Sequence, residues 1–378
     1  MYAGKSIHVG ILVQDTGEVY GAERATLDLA RGLGGHPGFR VSFILIDEQR
    51  LRNGESILRR AIRDLGHPVE TCATRLRFSL ALVRRIRRIV GEQKIDILHC
   101  TGAKASFHGY LAAGRASSTA KLSSTVHGWG VSRSLKSRFY DFLERWSLRK
   151  FDGVVVLSRF YEGLLREYGF EMEKAHLIRP GPFVTGFPEK RFAGVRPGPC
   201  VAGMAARFSP EKNHDLLLDA AGILAGQGAG LRFLLAGDGA QRKRIADRVR
   251  VEGLTDCVEM PGFVDRGDFF DRVDLLVLCS VVENQPYAIL EAMAYGVPVL
   301  TTVAGGVVEM VEDGETGVLI EPNSAEALAA ALALLRDNPA ERERLGRQAR
   351  DYFDETYRHD RCIDQYMNYY RQLAGSTE

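Results

Sequence analysis

Short apolar runs alternate with stretches of helical spacing along the whole chain. The runs are rich in Val, Leu and Ile, so we expect strands that are buried on both faces of a parallel sheet. The helical stretches between them complete βαβ units, which predict α/β domains with Rossmann-like sheets. The strand candidates are residues 7–13, 41–46, 95–100, 121–126, 153–157, 176–178, 201–206, 232–236, 273–280, 297–302 and 318–320.

One break in this pattern divides the chain of 378 residues. Residues 179–198 are dense in Pro and Gly, which indicates an interdomain linker, and the length is that of two domains. We therefore expect one Rossmann-like domain at residues 1–190 and a second at residues 191–350. The remaining segment, residues 351–378, has helical spacing and several tyrosines.

Two carboxylates lie beside one predicted strand. Glu283 follows the apolar run 273–280, and Glu291 lies on a helix predicted at residues 286–295, with Pro in its first turn and Gly just past its end. Ligands of an open parallel sheet bind outside the carboxyl ends of the strands. Both acids are expected near that crevice, where carboxylates suit the hydroxyl groups of a sugar or a ribose.

Anion-binding groups are predicted around the same crevice. Gly305 and Gly306 open a short helical pattern after the run 297–302, and a helix start with exposed N–H groups favours anions. Arg207 and Lys212 frame the loop after the run 201–206 and could neutralise a diphosphate. Hydroxyl-binding carboxylates beside anion-binding groups favour a sugar nucleotide as ligand.

The ordered string of motifs within residues 273–322 resembles the retaining family 4 glycosyltransferases of the GT-B fold. The string comprises Glu283-x7-Glu291, Ala292-Met293-Ala294, Gly296-x-Pro298, Gly305-Gly306-x-x-Glu309 and Gly317. The resemblance implies two Rossmann-like domains with parallel sheets facing a central cleft. It also implies that the C-terminal domain binds the sugar nucleotide, that the N-terminal domain binds the acceptor, and that the last helices return to the first domain.

Individual roles follow from the same resemblance. Glu291 is expected to accept hydrogen bonds from the ribose and Glu283 to hold the sugar, while Arg207 and Lys212 stabilise the departing diphosphate. His127, at the end of the run 121–126, is expected to bind the donor sugar. The other expected donor-binding residues are Gly21, Val264, Ala288, Gly305 and Gly306. The sequence departs from the family pattern at Tyr20, which stands where a glycine is usual, and at Asn284 and Gln285, which follow Glu283 in place of Gly-Phe.

The resemblance also implies a front-face reaction, in which the leaving phosphate helps to deprotonate the acceptor hydroxyl. The chain contains no Asp-x-Asp pair, the motif that carries a divalent metal in the other major glycosyltransferase fold. We therefore expect no metal and no other cofactor. The donor is expected to carry UDP or GDP and the acceptor to be a hydroxyl, possible sources being a lipid-linked sugar or a growing polysaccharide. No nucleic acid partner is expected.

Charge is unevenly distributed between the two halves. Residues 1–190 carry 30 Lys and Arg against 19 Asp and Glu, a net charge of +11, whereas the second half carries −9. Residues 75–94 place an apolar stripe beside an arginine face, and residues 133–150 are also basic. This arrangement suits either an amphipathic helix on an anionic membrane or a helix that packs on the core and exposes its arginines to water.

The six cysteines are scattered and include no Cys-x-x-Cys pair, so we expect free thiols in a reducing cytoplasm. The protein is expected to be cytoplasmic, with peripheral attachment to the inner face of the membrane as an open alternative. Two other functions also remain open at this point: a catalytically silent GT-B-like subunit that serves a partner transferase, and a sugar-nucleotide epimerase on the same fold.

Overall fold

The computed structural model describes residues 6–48, 56–76, 78–113, 120–129, 135–184, 198–226 and 230–375, without the side chains of 135–137. Thirteen strands are present in this part of the chain. They are β1 (Ile7–Asp15), β2 (Phe39–Glu48), β3 (Val69–Thr74), β4 (Ile97–Thr101), β5 (Lys121–Val126), β6 (Gly153–Val156), β7 (Ala175–Leu177), β8 (Cys200–Ala205), β9 (Leu231–Ala236), β10 (Val258–Gly262), β11 (Leu275–Leu278), β12 (Val299–Thr302) and β13 (Val318–Ile320).

Thirteen α-helices connect or follow these strands in the described residues. They are α1 (Gly21–Gly34), α2 (Ile57–Asp64), α3 (Leu80–Glu92), α4 (Ala103–Ala113), α5 (Leu135–Leu148), α6 (Arg159–Glu167), α7 (His214–Ala225), α8 (Arg242–Val251), α9 (Arg266–Arg272), α10 (Tyr287–Ala294), α11 (Ala325–Asp337), α12 (Pro339–Thr356) and α13 (His359–Leu373). Short 3₁₀ turns at Pro210–Lys212 and Gly305–Glu309 follow β8 and β12.

The chain forms two compact units. The first unit comprises Met1–Phe183 and His359–Glu378, and the second comprises Val184–Arg358. The last helix α13 is therefore part of the first unit, whereas residues 351–358, which the sequence analysis grouped with it, are part of the second. The predicted linker at 179–198 lies mostly outside the described residues.

Each unit contains one parallel sheet. The order is β3-β2-β1-β4-β5-β6-β7 in the first and β10-β9-β8-β11-β12-β13 in the second. In both sheets the chain adds strands on one side and then crosses to the other side of the first strand, which creates a switch point between β1 and β4 and between β8 and β11. Ligand sites of doubly wound sheets occur at such switch points.

The apolar stripe of α3 belongs to the core of the first unit. Leu82, Val83, Ile86, Ile89 and Val90 are all buried there. Helix α3 starts later than residue 75, because the Ser79 side chain accepts the backbone N–H of Leu82 as an N-cap. The interpretation of this stripe as a membrane-facing surface is therefore wrong, since these side chains already pack against the sheet.

Helix α13 is fixed to the first sheet by a buried polar network. The hydroxyls of Tyr366 and Tyr369 hydrogen-bond to Thr125 Oγ1 at 2.9 Å and to Ser123 Oγ at 2.7 Å. The hydroxyl of Tyr370 lies 3.0 Å from Nδ1 of His99. The tyrosines of the last segment thus pack against the sheet and provide hydrogen-bond partners for its buried polar side chains.

Candidate functional site

The loop after β8 carries the two predicted cations, Arg207 and Lys212. Its backbone lies directly against the glycine-rich turn after β9. A Cβ atom on Gly239, whose φ is +155°, would lie 2.5 Å from the carbonyl oxygen of Phe208. Phe208 in turn donates its N–H to the carbonyl oxygen of Asp238 at 2.9 Å. The two loops therefore fix each other at the carboxyl edge of the second sheet, and the glycine is required by this close approach.

Lys212 and Glu283 meet at the switch point of this sheet. Lys212 follows β8 and Glu283 follows β11, and their side chains form an ion pair between Nζ and Oε1. The same Oε1 accepts the hydroxyl of Ser280 at 2.7 Å. Since both charged side chains retain some exposure, the pair is accessible from the crevice at the strand ends.

The Gly305-Gly306 turn lies next to the Glu283 loop. Gly306 donates its N–H to the backbone carbonyl of Glu283 at 3.1 Å. The Gln285 side chain donates to the carbonyl of Gly306 at 3.3 Å. Gly305 has a φ of +55°, a conformation that favours glycine. The structure thus brings Lys212, Glu283 and the glycine turn together, as expected of one site.

Arg207 is held by a neighbouring carboxylate. Its guanidinium lies 2.6 Å from Oε1 of Glu211, which also accepts the hydroxyl of Ser209 at 2.6 Å. Burial by itself would raise the pKa of the Glu211 carboxyl, but the hydrogen bonds from Ser209 and Arg207 outweigh it and lower that pKa. Glu211 therefore remains an anion that orients Arg207, a role that the sequence analysis did not predict.

Glu291 lies on α10, which is buried except at Ala288. The Glu291 side chain is only 5% exposed, and its Oε1 lies 3.0 Å from Nε of Arg266. Arg266 begins α9, two residues after Val264, in the loop that follows β10. Sequence reasoning missed this arginine because no motif links it to Glu291. Glu291, Arg266 and Val264 thus belong to one region at the edge of the second sheet.

The two site residues predicted in the first unit lie after β1 and β5. Gly21 is exposed at the start of α1, and a Cβ there would meet no atom of this chain within 4 Å. His127 is half-buried directly after β5, and burial lowers its pKa to about 4. A neutral imidazole at physiological pH can exchange hydrogen bonds with a hydroxyl without carrying charge.

Three further observations concern metal ligands, membrane spans and cysteines among the described residues. Across the described ranges, no three His, Cys, Asp or Glu side chains come together in an arrangement that could hold a metal ion. No helix in those ranges has both the length and the apolar composition of a membrane span. The described cysteines are free thiols, and burial raises the pKa of Cys279 to about 12.

Two doubly wound parallel sheets, the second with charged side chains gathered at its switch point, define a two-domain α/β protein of the GT-B class. The protein family described as Glycosyltransferase Family 4 matches residues 19–181, and the family described as Glycosyl transferases group 1 matches residues 187–352. Together the two matches cover most of the chain, which belongs to the family 4 glycosyltransferases of the GT-B fold.

Curated relatives share about a quarter to a third of their residues with this chain. A putative colanic acid biosynthesis glycosyltransferase, WcaL of Salmonella typhimurium, is 31% identical over 222 residues, which is 56% of this chain and 54% of WcaL. The match thus spans about half the length of that relative. The alpha-D-kanosaminyltransferase of Streptomyces kanamyceticus is 27% identical over 311 residues, covering 77% of this chain and 80% of the relative.

Solved structures show the same fold at lower identity. HepE of Anabaena, in complex with UDP and glucose, superposes with a TM-score of 0.79 at 19% identity and covers 96% of this chain and 98% of its own. Sucrose-phosphate synthase of Thermosynechococcus elongatus gives a TM-score of 0.79 at 20% identity, with 98% and 100% covered. These likenesses confirm the predicted GT-B fold.

Proposed function

We propose that this chain transfers a sugar from a nucleotide diphosphate sugar to an acceptor hydroxyl, with retention at the anomeric carbon. The observation that carries the proposal is the meeting of Lys212, Glu283 and the Gly306 turn at the switch point of the second sheet. A cation, a carboxylate and a glycine turn that meet where the strands end suit a diphosphate linked to a hydroxyl-rich sugar. The family membership supports the same reaction.

The donor diphosphate would take the place of Glu283 beside Lys212, while Glu211 continues to orient Arg207. Arg207 and Lys212 would then stabilise the negative charge that grows on the leaving group. Glu283, released from Lys212, would accept hydrogen bonds from the sugar hydroxyls, and Glu291 would accept them from the ribose. We propose for His127 the role that the family resemblance implies, which is to bind the donor sugar.

In this reaction the leaving phosphate would take the acceptor proton, so no separate protein base is required. We propose that the reaction also proceeds without a metal ion, because the Asp-x-Asp motif is absent from the sequence. Full activity in excess chelator is the expected result. A collapse of activity that added Mg²⁺ or Mn²⁺ restores would contradict this part of the proposal.

We propose UDP as the nucleotide, since HepE was solved with UDP, and GDP as the alternative. For the acceptor we propose a lipid-linked or growing polysaccharide, in keeping with the name of the WcaL relative. We propose retention because the sequence resembles the retaining family 4 enzymes, and the name of the kanosaminyl relative specifies an α-configured sugar. Such an acceptor would place the protein at the inner face of the membrane.

The test is thermal shift with a panel of sugar nucleotides, followed by detection of the released nucleotide diphosphate. A donor at 100 times its Kd would stabilise the fold by about 2.7 kcal/mol. Turnover should be lost in Lys212→Ala and kept in Lys243→Ala, an exposed lysine of the same unit. Stabilisation without release over hours would instead identify a silent binding subunit. An epimerised sugar nucleotide as the product would identify an epimerase.

A further inference from the structure

The first unit exposes an unusually large group of apolar side chains in one place. They come from the segment that precedes α3, from the first residue of α3, and from one side of α5. We call this group the aromatic face; it consists of Leu76, Phe78, Leu80, Phe139, Phe142 and Trp146, all exposed. Monomeric proteins rarely leave such patches uncovered unless the patch binds something.

Ring contacts and helical spacing connect the aromatic members of this face. The Phe78 ring lies 6.2 Å from the Phe139 ring, and both Phe78 and Trp146 contact the ring of Phe107, at 5.4 Å and 6.4 Å. Phe139, Phe142 and Trp146 are spaced i, i+3 and i+7, so they lie along one side of α5. This surface is distinct from the buried stripe of α3.

Basic residues border the aromatic face. Arg138 is exposed next to Phe139, and Arg84 is exposed one turn after Leu80 on α3. Asp141, the acidic residue on α5 closest in sequence to Phe142, is half-buried, unlike the exposed Arg138 and Arg84. Residues 1–190, which contain the whole face, carry a net charge of +11. The apolar centre and the positive border complement an anionic surface with an apolar interior.

We propose that the aromatic face docks the first unit on an anionic lipid bilayer. Phe and Leu side chains would enter the acyl boundary, and Trp146 would take the interfacial level that tryptophan prefers. The arginines at the border would interact with lipid phosphates, each contributing about fivefold to binding. The docking surface is inferred from the exposed apolar and basic residues alone. Only its biological purpose, which is to bring the enzyme to a membrane-borne acceptor, rests on the proposed function.

The first test is sedimentation with vesicles of phosphatidylglycerol and phosphatidylcholine, and with vesicles of phosphatidylcholine alone. The protein should bind the anionic vesicles, and the binding should fall with salt. The double variant Phe139→Ser/Phe142→Ser should bind at least about tenfold more weakly, since each Phe loses most of its apolar transfer energy. The matched control is Val251→Ser/Leu334→Ser, which removes two exposed apolar residues of the second unit. It should bind like the unaltered protein.

The second test uses the two tryptophans of the chain, Trp129 and Trp146. Trp146 is 40% exposed, whereas Trp129 is buried inside the first unit. Vesicles with brominated acyl chains should quench the emission of the unaltered protein. At lipid concentrations that sediment both proteins, the variant Trp146→Phe should show little quenching. Quenching that persists in Trp146→Phe would contradict the proposed orientation.

The proposal is overturned if anionic vesicles leave the protein in the supernatant at low salt, or if the double Phe variant binds as well as the control. It is also overturned if the aromatic face is covered by a second copy, seen as a doubled mass that the double Phe variant halves. Stabilisation by UDP or GDP, measured on the same samples, separates the two ideas. Vesicle binding without stabilisation by either UDP or GDP would refute the proposed function alone, and the reverse result would refute the docking surface alone.

Discussion

Removing the carboxylate of Glu291 provides the sharpest test of how the second unit binds a donor. The side chain is 5% exposed and lies 3.0 Å from Nε of Arg266. Glu291→Gln preserves the size of the side chain but replaces a charged acceptor with a neutral amide. Hydrogen bonds to charged groups contribute about 1.5–3 kcal/mol each. We therefore expect the Kd for UDP to rise by about 10- to 150-fold for one lost ribose contact.

The effect on folding should be smaller than the effect on binding. Arg266 is 23% exposed, so water can solvate part of its guanidinium once the carboxylate is gone. The loss of a partly exposed ion pair costs on the order of 1 kcal/mol, far below the cost for a deeply buried pair. A shift of a few degrees in Tm is expected for a chain of this size.

Calorimetry with UDP and with 2′-deoxy-UDP identifies the group that Glu291 contacts. The unaltered protein should bind UDP more tightly than the deoxy ligand, and Glu291→Gln should bind both with similar affinity. Glu312→Gln, which removes an exposed carboxylate of the same unit, is the control and should match the unaltered protein. A Kd for UDP within about threefold of the unaltered value in Glu291→Gln would refute the ribose assignment, because one such contact predicts at least tenfold.

Three further expectations follow from described contacts. Arg207→Ala and Lys212→Ala should each lower kcat about a hundredfold or more, while the Kd for the donor changes less, because both cations would stabilise charge that grows on the leaving group. An unchanged kcat in steady-state kinetics would show that the proposed role of that residue is wrong. Gly239→Ala should lower Tm by at least about 3 °C, because the new Cβ would lie 2.5 Å from the Phe208 carbonyl at a φ of +155°. Burial lowers the pKa of His99 to about 3 in the folded protein, from about 6.5 in the unfolded chain. Between these two pH values the unfolded chain binds a proton at His99 that the folded protein does not, so the stability of the fold falls on acidification. The melting temperature should therefore fall less steeply with acid in His99→Gln, and parallel profiles would contradict this.

The strands were predictable because most of them are buried on both faces and read as continuous apolar runs. The prediction missed β3 and β10, which are edge strands of the first and second sheets. Only two residues of each are buried, Cys72 and Thr74 in β3 and Val258 and Gly262 in β10, so no apolar run marks either strand. The positions of Glu283 and Glu291 could be predicted, since both depend on the local order of strand, loop and helix. Glu211 and Arg266 could not be assigned as partners of Arg207 and Glu291. The first contact depends on which of several neighbouring side chains Arg207 binds, and the second forms only when distant loops meet.

Hydrophobic spacing alone did not distinguish core from surface in the first unit. The stripe of α3 and the line of Phe139, Phe142 and Trp146 on α5 have equivalent helical spacing, yet the first is buried and the second is exposed. The difference lies in packing, since the stripe of α3 is part of the core of the first unit, whereas Phe139, Phe142 and Trp146 stay exposed although α5 also contacts α4. The sequence drew attention to the arginines on α3, whereas the structure assigns the uncovered apolar surface to α5.

Both cations that we propose for the diphosphate form ion pairs with carboxylates of this chain. Arg207 is paired with Glu211, and Lys212 is paired with Glu283, so neither predicted diphosphate cation faces the crevice as an isolated charge. Under the proposed function these pairs have different consequences. Glu211 lies four residues after Arg207 on the same loop and can keep orienting it when phosphate binds. Glu283 belongs to a different loop and is also the group proposed to hold the sugar. Exchange of Lys212 from Glu283 to phosphate would therefore release the sugar-binding carboxylate only when a diphosphate is present, which links recognition of the two ends of the donor.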